Sequence, residues 1–443
     1  GRLRGASMKR LKAIRHAAAV SMLLGLAMVA SPVAAEPAVP AEVQSAIDAV
    51  MPKVVDWRRD IHEHPELGNR EFRTSKLVAE HLRSLGLEVK TEIAHTGVVG
   101  ILRGAKNGPV IGLRADMDAL PVTEQVDLPF ASKVRTEYNG VETGVAHACG
   151  HDNHVAILMG VAEVLAGMKE QLSGTVMFVF QPAEEGAPEG EEGGAELMLK
   201  EGIFDELQPD AMFALHVMAM PVGYVGIRSE GIAASSDTLK ITVNGAQTHG
   251  GMPWNGVDPI VVSSQIVNAL QTIPSRQLDV TKTPTVISLG SIHGGVRSNI
   301  VPDQVEMEGT IRTFDPGTRE RIHELIERTV TNIAESAGAT ADVSIERGYP
   351  ATINNAELTR MMPPTLQRVG GDGFAEANQS MASEDFAFFA EEVPGLYFFI
   401  GVVPEGRTPY PNHSPKFYAD ESALPIGVTA MTALVLDYLE MQR

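Results

Sequence analysis

Cysteine is almost absent from this chain: Cys149 is the only one in 443 residues, which excludes an internal disulfide framework. Basic residues are scarce as well. Lys and Arg number 36 against 56 Asp and Glu, a formal net charge of -20, so the chain lacks the positive surface that nucleic acid binding needs. There is no internal repeat and no low-complexity linker. Beyond residue 35 no apolar run is long enough to suggest a membrane span. What remains is an acidic protein whose expected partner is a small molecule.

Residues 1–35 read as a leader and signal peptide. From Met8 a basic stretch (Lys9, Arg10, Lys12, Arg15) precedes an apolar run from Ala17 to Ala30 and a small-residue exit at Val33-Ala34-Ala35. That pattern predicts export, to a periplasm or beyond. The segment holds six basic and no acidic residues, so the remaining chain moves from -20 to -26. A lone thiol in an oxidising compartment is best preserved when a metal holds it.

Cys149 lies in the densest chemical stretch of the chain, His147-Ala148-Cys149-Gly150-His151-Asp152-Asn153-His154, followed by an apolar helical pattern. A Cys-x-His step at the mouth of a helix suits a borderline-soft divalent ion, because the turn lets neighbouring thiolate and imidazole converge. Further ligands must come from elsewhere. Asp116 and Asp118 follow the predicted strand Val110–Arg114, Glu184 and Glu185 follow Gly174–Phe180, and His216 ends Ala211–His216. Carboxylates and histidines just past the carboxyl ends of strands sit where open α/β sheets place their sites. Adjacent glutamates point in different directions, so one can hold a metal while its neighbour faces a water. Asp116 is equally readable as a turn cap. His62 and His64 sit at the end of the predicted helix Val43–Leu67, and Glu189, Glu191 and Glu192 read as a solvated loop.

Strand and helix alternate over residues 36–233 and again over 348–443, which predicts a doubly wound α/β domain with a largely parallel sheet. Between them, 234–347 reads β-α-β-β-α-β: strands Asp237–Val243, Thr285–Ile292, Val305–Ile311 and Ala341–Glu346 with helices Val257–Leu270 and Arg319–Ala337. That is the order of a ferredoxin-like α+β unit inserted into the first domain. A helix over Ala356–Val369, a strand over Leu396–Val402 and a closing helix over Glu421–Leu439 complete the pattern.

These motifs together resemble the dimetal aminoacylase and carboxypeptidase family, in the branch of hippurate hydrolase and the indole-acetyl amino acid hydrolases. The matching pieces are Asp116-Met117-Asp118-Ala119-Leu120-Pro121, His147-Ala148-Cys149-Gly150-His151-Asp152, Gln181-Pro182-Ala183-Glu184-Glu185, His216, Thr248-His249-Gly250-Gly251-Met252-Pro253, Ser298-Asn299-Ile300-Val301-Pro302, Ser383-Glu384-Asp385-Phe386 and His413-Ser414-Pro415. They occur in the family's order over nearly the whole chain after the leader.

The resemblance implies two divalent ions per subunit. Cys149 would bridge them, with Glu185 and His413 completing one site and His151 and His216 the other. Relatives outside this branch bridge with a carboxylate and carry a histidine where this chain has Asp116, so Asp116 is not assigned as a ligand. Asp118 matches the aspartate that orients a ligand imidazole, and Glu184 matches the general base. His249, Asn299 and Arg312 match groups on the insert that grip the substrate, His249 acting across a homodimer on the neighbouring subunit's oxyanion. The insert would then serve as lid and dimerisation domain of a catalytic α/β domain.

The implied activity is hydrolysis of N-acyl or N-aroyl amino acids to a carboxylic acid and a free amino acid. A dipeptidase or carboxypeptidase acting on unblocked peptides, and a catalytically silent metal-binding homologue, stay open. Thiolate and imidazole favour Zn(II), while Mn(II), Co(II) and Ni(II) are compatible with carboxylate-containing sites.

Overall fold

The computed structural model describes residues 36–443, so the leader expected over 1–35 lies outside the described residues. The chain begins with helices α1 (Ala41–Glu63) and α2 (Phe72–Ser84), strands β1 (Glu88–Ile93), β2 (Gly97–Arg103) and β3 (Lys106–Asp116), and the hairpin β4 (Arg135–Tyr138) and β5 (Val141–Gly144). Helix α3 (His151–Gly167), strand β6 (Ser173–Gln181), helix α4 (Gly194–Lys200) and strands β7 (Ala211–Pro221), β8 (Val225–Ile227) and β9 (Glu230–Ala233) follow. The next stretch holds β10 (Asp237–Asn244), β11 (Thr248–His249), α5 (Pro259–Leu270), β12 (Thr285–Gly294), β13 (Ile300–Val301), β14 (Gln304–Thr313), α6 (Pro316–Ser336) and β15 (Thr340–Arg347). The chain then returns through β16 (Thr352–Asn354), α7 (Ala356–Met361), α8 (Pro363–Gly370), β17 (Phe374–Glu376), α9 (Phe386–Glu392), β18 (Gly395–Val403) and α10 (Leu424–Met441).

The main sheet has eight strands in the order β1-β2-β6-β3-β7-β18-β8-β17. Its centre, β6-β3-β7-β18, is parallel, and β1-β2, β2-β6 and β18-β8 are antiparallel, so the sheet is mixed. Along β6 and β18 almost every residue is buried, as strands covered on both faces require. Helices α1, α3 and α10 cover one face and α4 and α9 the other. Helix α3 lies between α1, α10 and the sheet, which is why it is buried nearly all round from His151 to Leu165 and lacks a polar stripe. Helix α10 is apolar enough to cross a membrane by composition, but packs as a core helix against α1, α3 and α8.

Four further strands, in the order β12-β14-β10-β15 and antiparallel throughout, form a second sheet with α5 and α6 on one face and a core of its own around Leu239, Ile241, Ile266, Ile311 and Ile322. This is the ferredoxin-like arrangement. The molecule is thus an α/β sheet domain carrying an α+β lid.

Strand β1 is an exposed edge, paired among the described residues with β2 alone. Three local expectations need correction. The helix expected over Val43–Leu67 stops at Glu63, ahead of Pro65. The helix expected over Ala356–Val369 is two helices, because Pro363 and Pro364 start a new one at Pro363. Finally, β7 continues to Pro221, so His216 sits mid-strand, opposite Phe399 of β18.

Candidate metal centre

Helix α3 opens directly onto the site. Gly150, its N-terminal cap, has φ +92°, and a Cβ there would meet Val217 Cγ2 at 2.3 Å. Only glycine lets the chain turn from Cys149 into His151 while lying against the strand that carries His216. Two non-glycine residues adopt positive φ nearby, Ala183 at +51° and His413 at +72°. Such strain costs on the order of 1–3 kcal/mol and persists where surrounding contacts over-determine it.

The five expected ligand residues converge. His151 Nδ1 lies 3.2 Å from Asp118 Oδ1, and Asp118 Oδ2 accepts from Glu185 N at 2.9 Å, so one carboxylate fixes a ring and the neighbouring main chain. That leaves His151 Nε2 buried without a hydrogen-bond partner among the described residues, 3.8 Å from Glu185 Oε1. His216 Nδ1 bonds to Val217 O at 2.7 Å, which turns its Nε2 to Cys149 Sγ at 3.4 Å. His413 Nε2 stands 3.1 Å from Glu185 Oε1 on the exposed side. Cys149, His151 and Glu185 each offer a ligand atom within 4.8 Å of the others. An orphaned buried acceptor costs about 1–3 kcal/mol, and a divalent ion accepting the His151 lone pair relieves it. The donor set fits such an ion.

A second group, Asp116, His151, His154 and His216, is equally close, but Asp116 and His154 in it are already bonded to each other. His154 Nδ1 lies 2.5 Å from Asp116 Oδ1, and its Nε2 accepts from Val217 N at 2.9 Å. With both nitrogens engaged, His154 steadies the backbone beside His216. Asp116 is a buried partner of His154 and Arg114, not a turn cap. His62 is likewise committed, to Asp152 at 2.8 Å and Glu124 at 2.9 Å, whereas His64 is exposed at the helix end.

Beneath Glu184 lies a carboxylate group whose chemistry the sequence hid. Oxygens of Glu184, Glu384 and Asp385 fall within 4.8 Å of one another. The fully buried Arg114 guanidinium holds the floor, with Nη1 to Asp116 at 2.8 Å and Nη2 to Glu384 at 2.7 Å and Asp385 at 2.9 Å. Tyr397 donates to Glu384 Oε2 at 2.6 Å. An arginine inside the apolar strand Val110–Arg114 was the available signal, because a buried charge demands partners.

Negative charge in a buried pocket dominates the electrostatics. Burial, then the charges of Glu384 and Glu185, pushes Glu184 well above the usual carboxylate range. Burial also raises the Cys149 thiol, with Glu185 and Glu184 adding to it. For His151 burial opposes the charged form, but Asp116 and Asp118 outweigh it and raise the ring to about 10. Burial is the largest influence on Glu185 too, yet His413 and His151 hold it low. The raised Glu184, Cys149 and His151 all reflect the surplus of negative charge around them.

The lid residues make their hydrogen bonds within the lid. His249 is exposed, with Nδ1 accepting from Gly251 N at 3.0 Å, and Gly250 N bonds to Asn299 O at 2.8 Å, so His249 and Asn299 are neighbours. Arg312 is half-buried on β14, its Nε donating to Thr310 Oγ1 at 3.0 Å, with no carboxylate in ion-pair reach among the described residues. No hydrogen bond or ion pair among the described residues joins these three to the cluster. A cavity of about 110 Å³ opens beside the cluster, with Met218, Tyr397 and Phe399 among its walls.

Comparison with known proteins places these features. A family model described as peptidase family M20/M25/M40 matches residues 112–437. The chain is 42% identical over 394 residues to thermostable carboxypeptidase 1 of Saccharolobus solfataricus, spanning 87% of this chain and 96% of that one. It is 36% identical over 390 residues to N-acetylcysteine deacetylase of Bacillus subtilis, spanning 88% and 97%. A solved structure from Bacillus subtilis, described as a dinuclear metal-binding peptidase of the M20 family, superposes with TM-score 0.74 at 33% identity over 89% of this chain and 99% of that one. The chain therefore belongs to peptidase family M20/M25/M40 and is a hydrolase of the amidohydrolase and peptidase kind.

Proposed function

We propose that the protein hydrolyses the amide bond of N-acyl or N-aroyl amino acids, releasing a carboxylic acid and a free amino acid. Cys149, His151, Glu185, His216 and His413 would hold two divalent ions, with Cys149 shared, Glu185 and His413 on one side and His151 and His216 on the other. Zn(II) suits the thiolate and imidazole donors best, and Mn(II), Co(II) or Ni(II) are compatible. When bound, the ions supply Lewis acidity, which lowers the pKa of water to about 7 in zinc sites and polarises a carbonyl.

The chain's own groups do the rest. Glu184, buried beside Glu185 and raised in pKa, accepts the proton of the attacking water and returns it to the departing amine. Asp118 keeps His151 in the tautomer that presents Nε2. Arg312 and Asn299 receive the α-carboxylate of the leaving amino acid. A half-buried guanidinium with no carboxylate in ion-pair reach among the described residues supports that role. His249 donates to the oxyanion formed in a second copy of the chain. Its exposure supports this, as do the apolar residues Met252, Trp254, Ile260, Val261, Ile292 and Val296 exposed on the same domain. The leader pattern supports export to a periplasmic or secreted location.

What carries the acyl assignment is the cavity beside the cluster, where Met218 and Phe399 offer an apolar wall to an uncharged acyl group. The carboxypeptidase at 42% identity supports the alternative, cleavage of unblocked peptides. Metal-loaded protein incubated with N-acetyl amino acids, N-benzoyl amino acids and dipeptides, with amino acid release measured, separates them. Release from the acylated substrates should be faster by about tenfold, the ratio that 1.4 kcal/mol of preference gives. Faster release from dipeptides would replace this function with a dipeptidase or carboxypeptidase, and no release from any substrate would leave a silent homologue.

A further inference from the structure

Glu184 sits in a turn whose main-chain groups are held by side chains from three places. Ala183 N donates to Glu71 Oε1 at 2.9 Å, Glu185 N to Asp118 Oδ2 at 2.9 Å, and Glu184 O accepts from Tyr349 Oη at 2.8 Å. The turn needs holding, since Ala183 lies at φ +51°. Glu71 and Asp118 belong to the sheet domain. Tyr349 lies at the crossing between the domains: it is the second residue after β15, where the chain leaves the lid.

The two lid crossings are tied to each other at that point. Ser236 N donates to Tyr349 O at 2.9 Å, Tyr349 N to Ser236 Oγ at 3.2 Å, and Gly348 N to Asp237 Oδ1 at 3.2 Å. A Cβ on Gly348 would meet Ser236 O at 2.4 Å, so the close approach requires glycine. Three residues beyond Tyr349, Thr352 Oγ1 donates to Glu384 O at 3.1 Å. The segment leaving the lid thus places hydroxyls on the main-chain carbonyls of two neighbouring buried glutamates. The Tyr349 ring is seated edge-on against Phe388, centroids 5.9 Å apart, which aims the hydroxyl without using it.

We propose that Tyr349 is a positioning residue for Glu184: it fixes the turn that presents the carboxylate and registers that turn to the paired lid crossings. This rests on Glu184 as the proton-transfer group. Tyr349→Phe keeps the ring and removes only the O–H, so the fold should survive. The variant should lose about tenfold in kcat with KM changed less than twofold, at unchanged metal content and thermal midpoint. Hydrogen exchange at the Ala183–Gly186 turn should be faster than in the wild type while exchange along β10 stays the same. A merely structural hydroxyl would lower the midpoint without splitting kcat from KM. Wild-type kcat with wild-type exchange at the turn would overturn the proposal, as would a kcat loss matched by loss of metal or of thermal stability. Glu184→Gln measured alongside keeps the two ideas apart. If it retains turnover, the Glu184 assignment has failed; if it is inactive while Tyr349→Phe is normal, only the role of Tyr349 has.

Discussion

Cys149 is buried among carboxylates that oppose its ionisation, so a thiolate there needs a cation to compensate it. Loading the protein with Co(II) should therefore produce a thiolate-to-metal charge-transfer band in the ultraviolet that is absent in Cys149→Ser. An identical spectrum in the serine variant would remove Cys149 from the coordination sphere. At this scale the ligand-type residues were legible because thiol, imidazole and paired carboxylates are rare enough to stand out when clustered. Their supports were not. Arg114 is one charge in a buried strand, and its bonds to Glu384 and Asp385 span about 270 positions of sequence. His154 looks like another ligand of the His147–His154 stretch until the structure shows both its nitrogens occupied. Tyr349 is an unremarkable tyrosine in sequence, and only the folded crossing brings it to Glu184.

Among the elements, the lid is held at its root by Asp237 at the start of β10. Arg319 Nε on α6 donates to Asp237 Oδ2 at 3.0 Å, and His323 Nε2 lies 2.7 Å from the same oxygen. Burial alone would raise this carboxyl, but His323 and Arg319 outweigh it and bring it down to about 2 from an ordinary 3.8. A pKa lower in the folded than in the unfolded state adds stability that is complete above the unfolded value and disappears as pH falls through the folded one. The contribution is on the order of 1–2 kcal/mol. Asp237→Asn should thus be less stable than wild type near neutrality, and the gap in denaturant midpoint should close between about pH 4 and pH 2. A gap independent of pH would assign the loss to packing instead. The elements themselves were mostly legible from hydrophobic period. The exceptions have local causes: Pro363-Pro364 divides one helix, and β1 carries β-branched residues at an edge, where period says nothing about which neighbours exist.

At the scale of the whole molecule, the split of the sheet domain around a β-α-β-β-α-β insert was readable from element order. The strand order was not, because which strands neighbour one another depends on pairings such as β7 with β18, roughly 180 positions apart. Nor could sequence show that, among the described residues, no hydrogen bond or ion pair joins His249 and Arg312 to the cluster. Their engagement within the lid motivates the proposed homodimer, in which each lid serves its neighbour. Mixing His249→Ala with Glu184→Gln protein should restore activity, because one site per heterodimer is intact; no rescue after proven subunit exchange would confine His249 to its own chain.

The proposed dinuclear centre lies beside a general base, Glu184, that would hold no metal. Metal content and turnover measured on one preparation of Glu184→Gln test it directly, with Glu185→Gln as the contrast. Glu184→Gln should keep two ions per chain and lose at least about a hundredfold in turnover, the size of a general-base contribution, whereas Glu185→Gln should lose metal first. A Glu184→Gln protein that loses its metal, or that turns over substrate at the wild-type rate, would contradict the account.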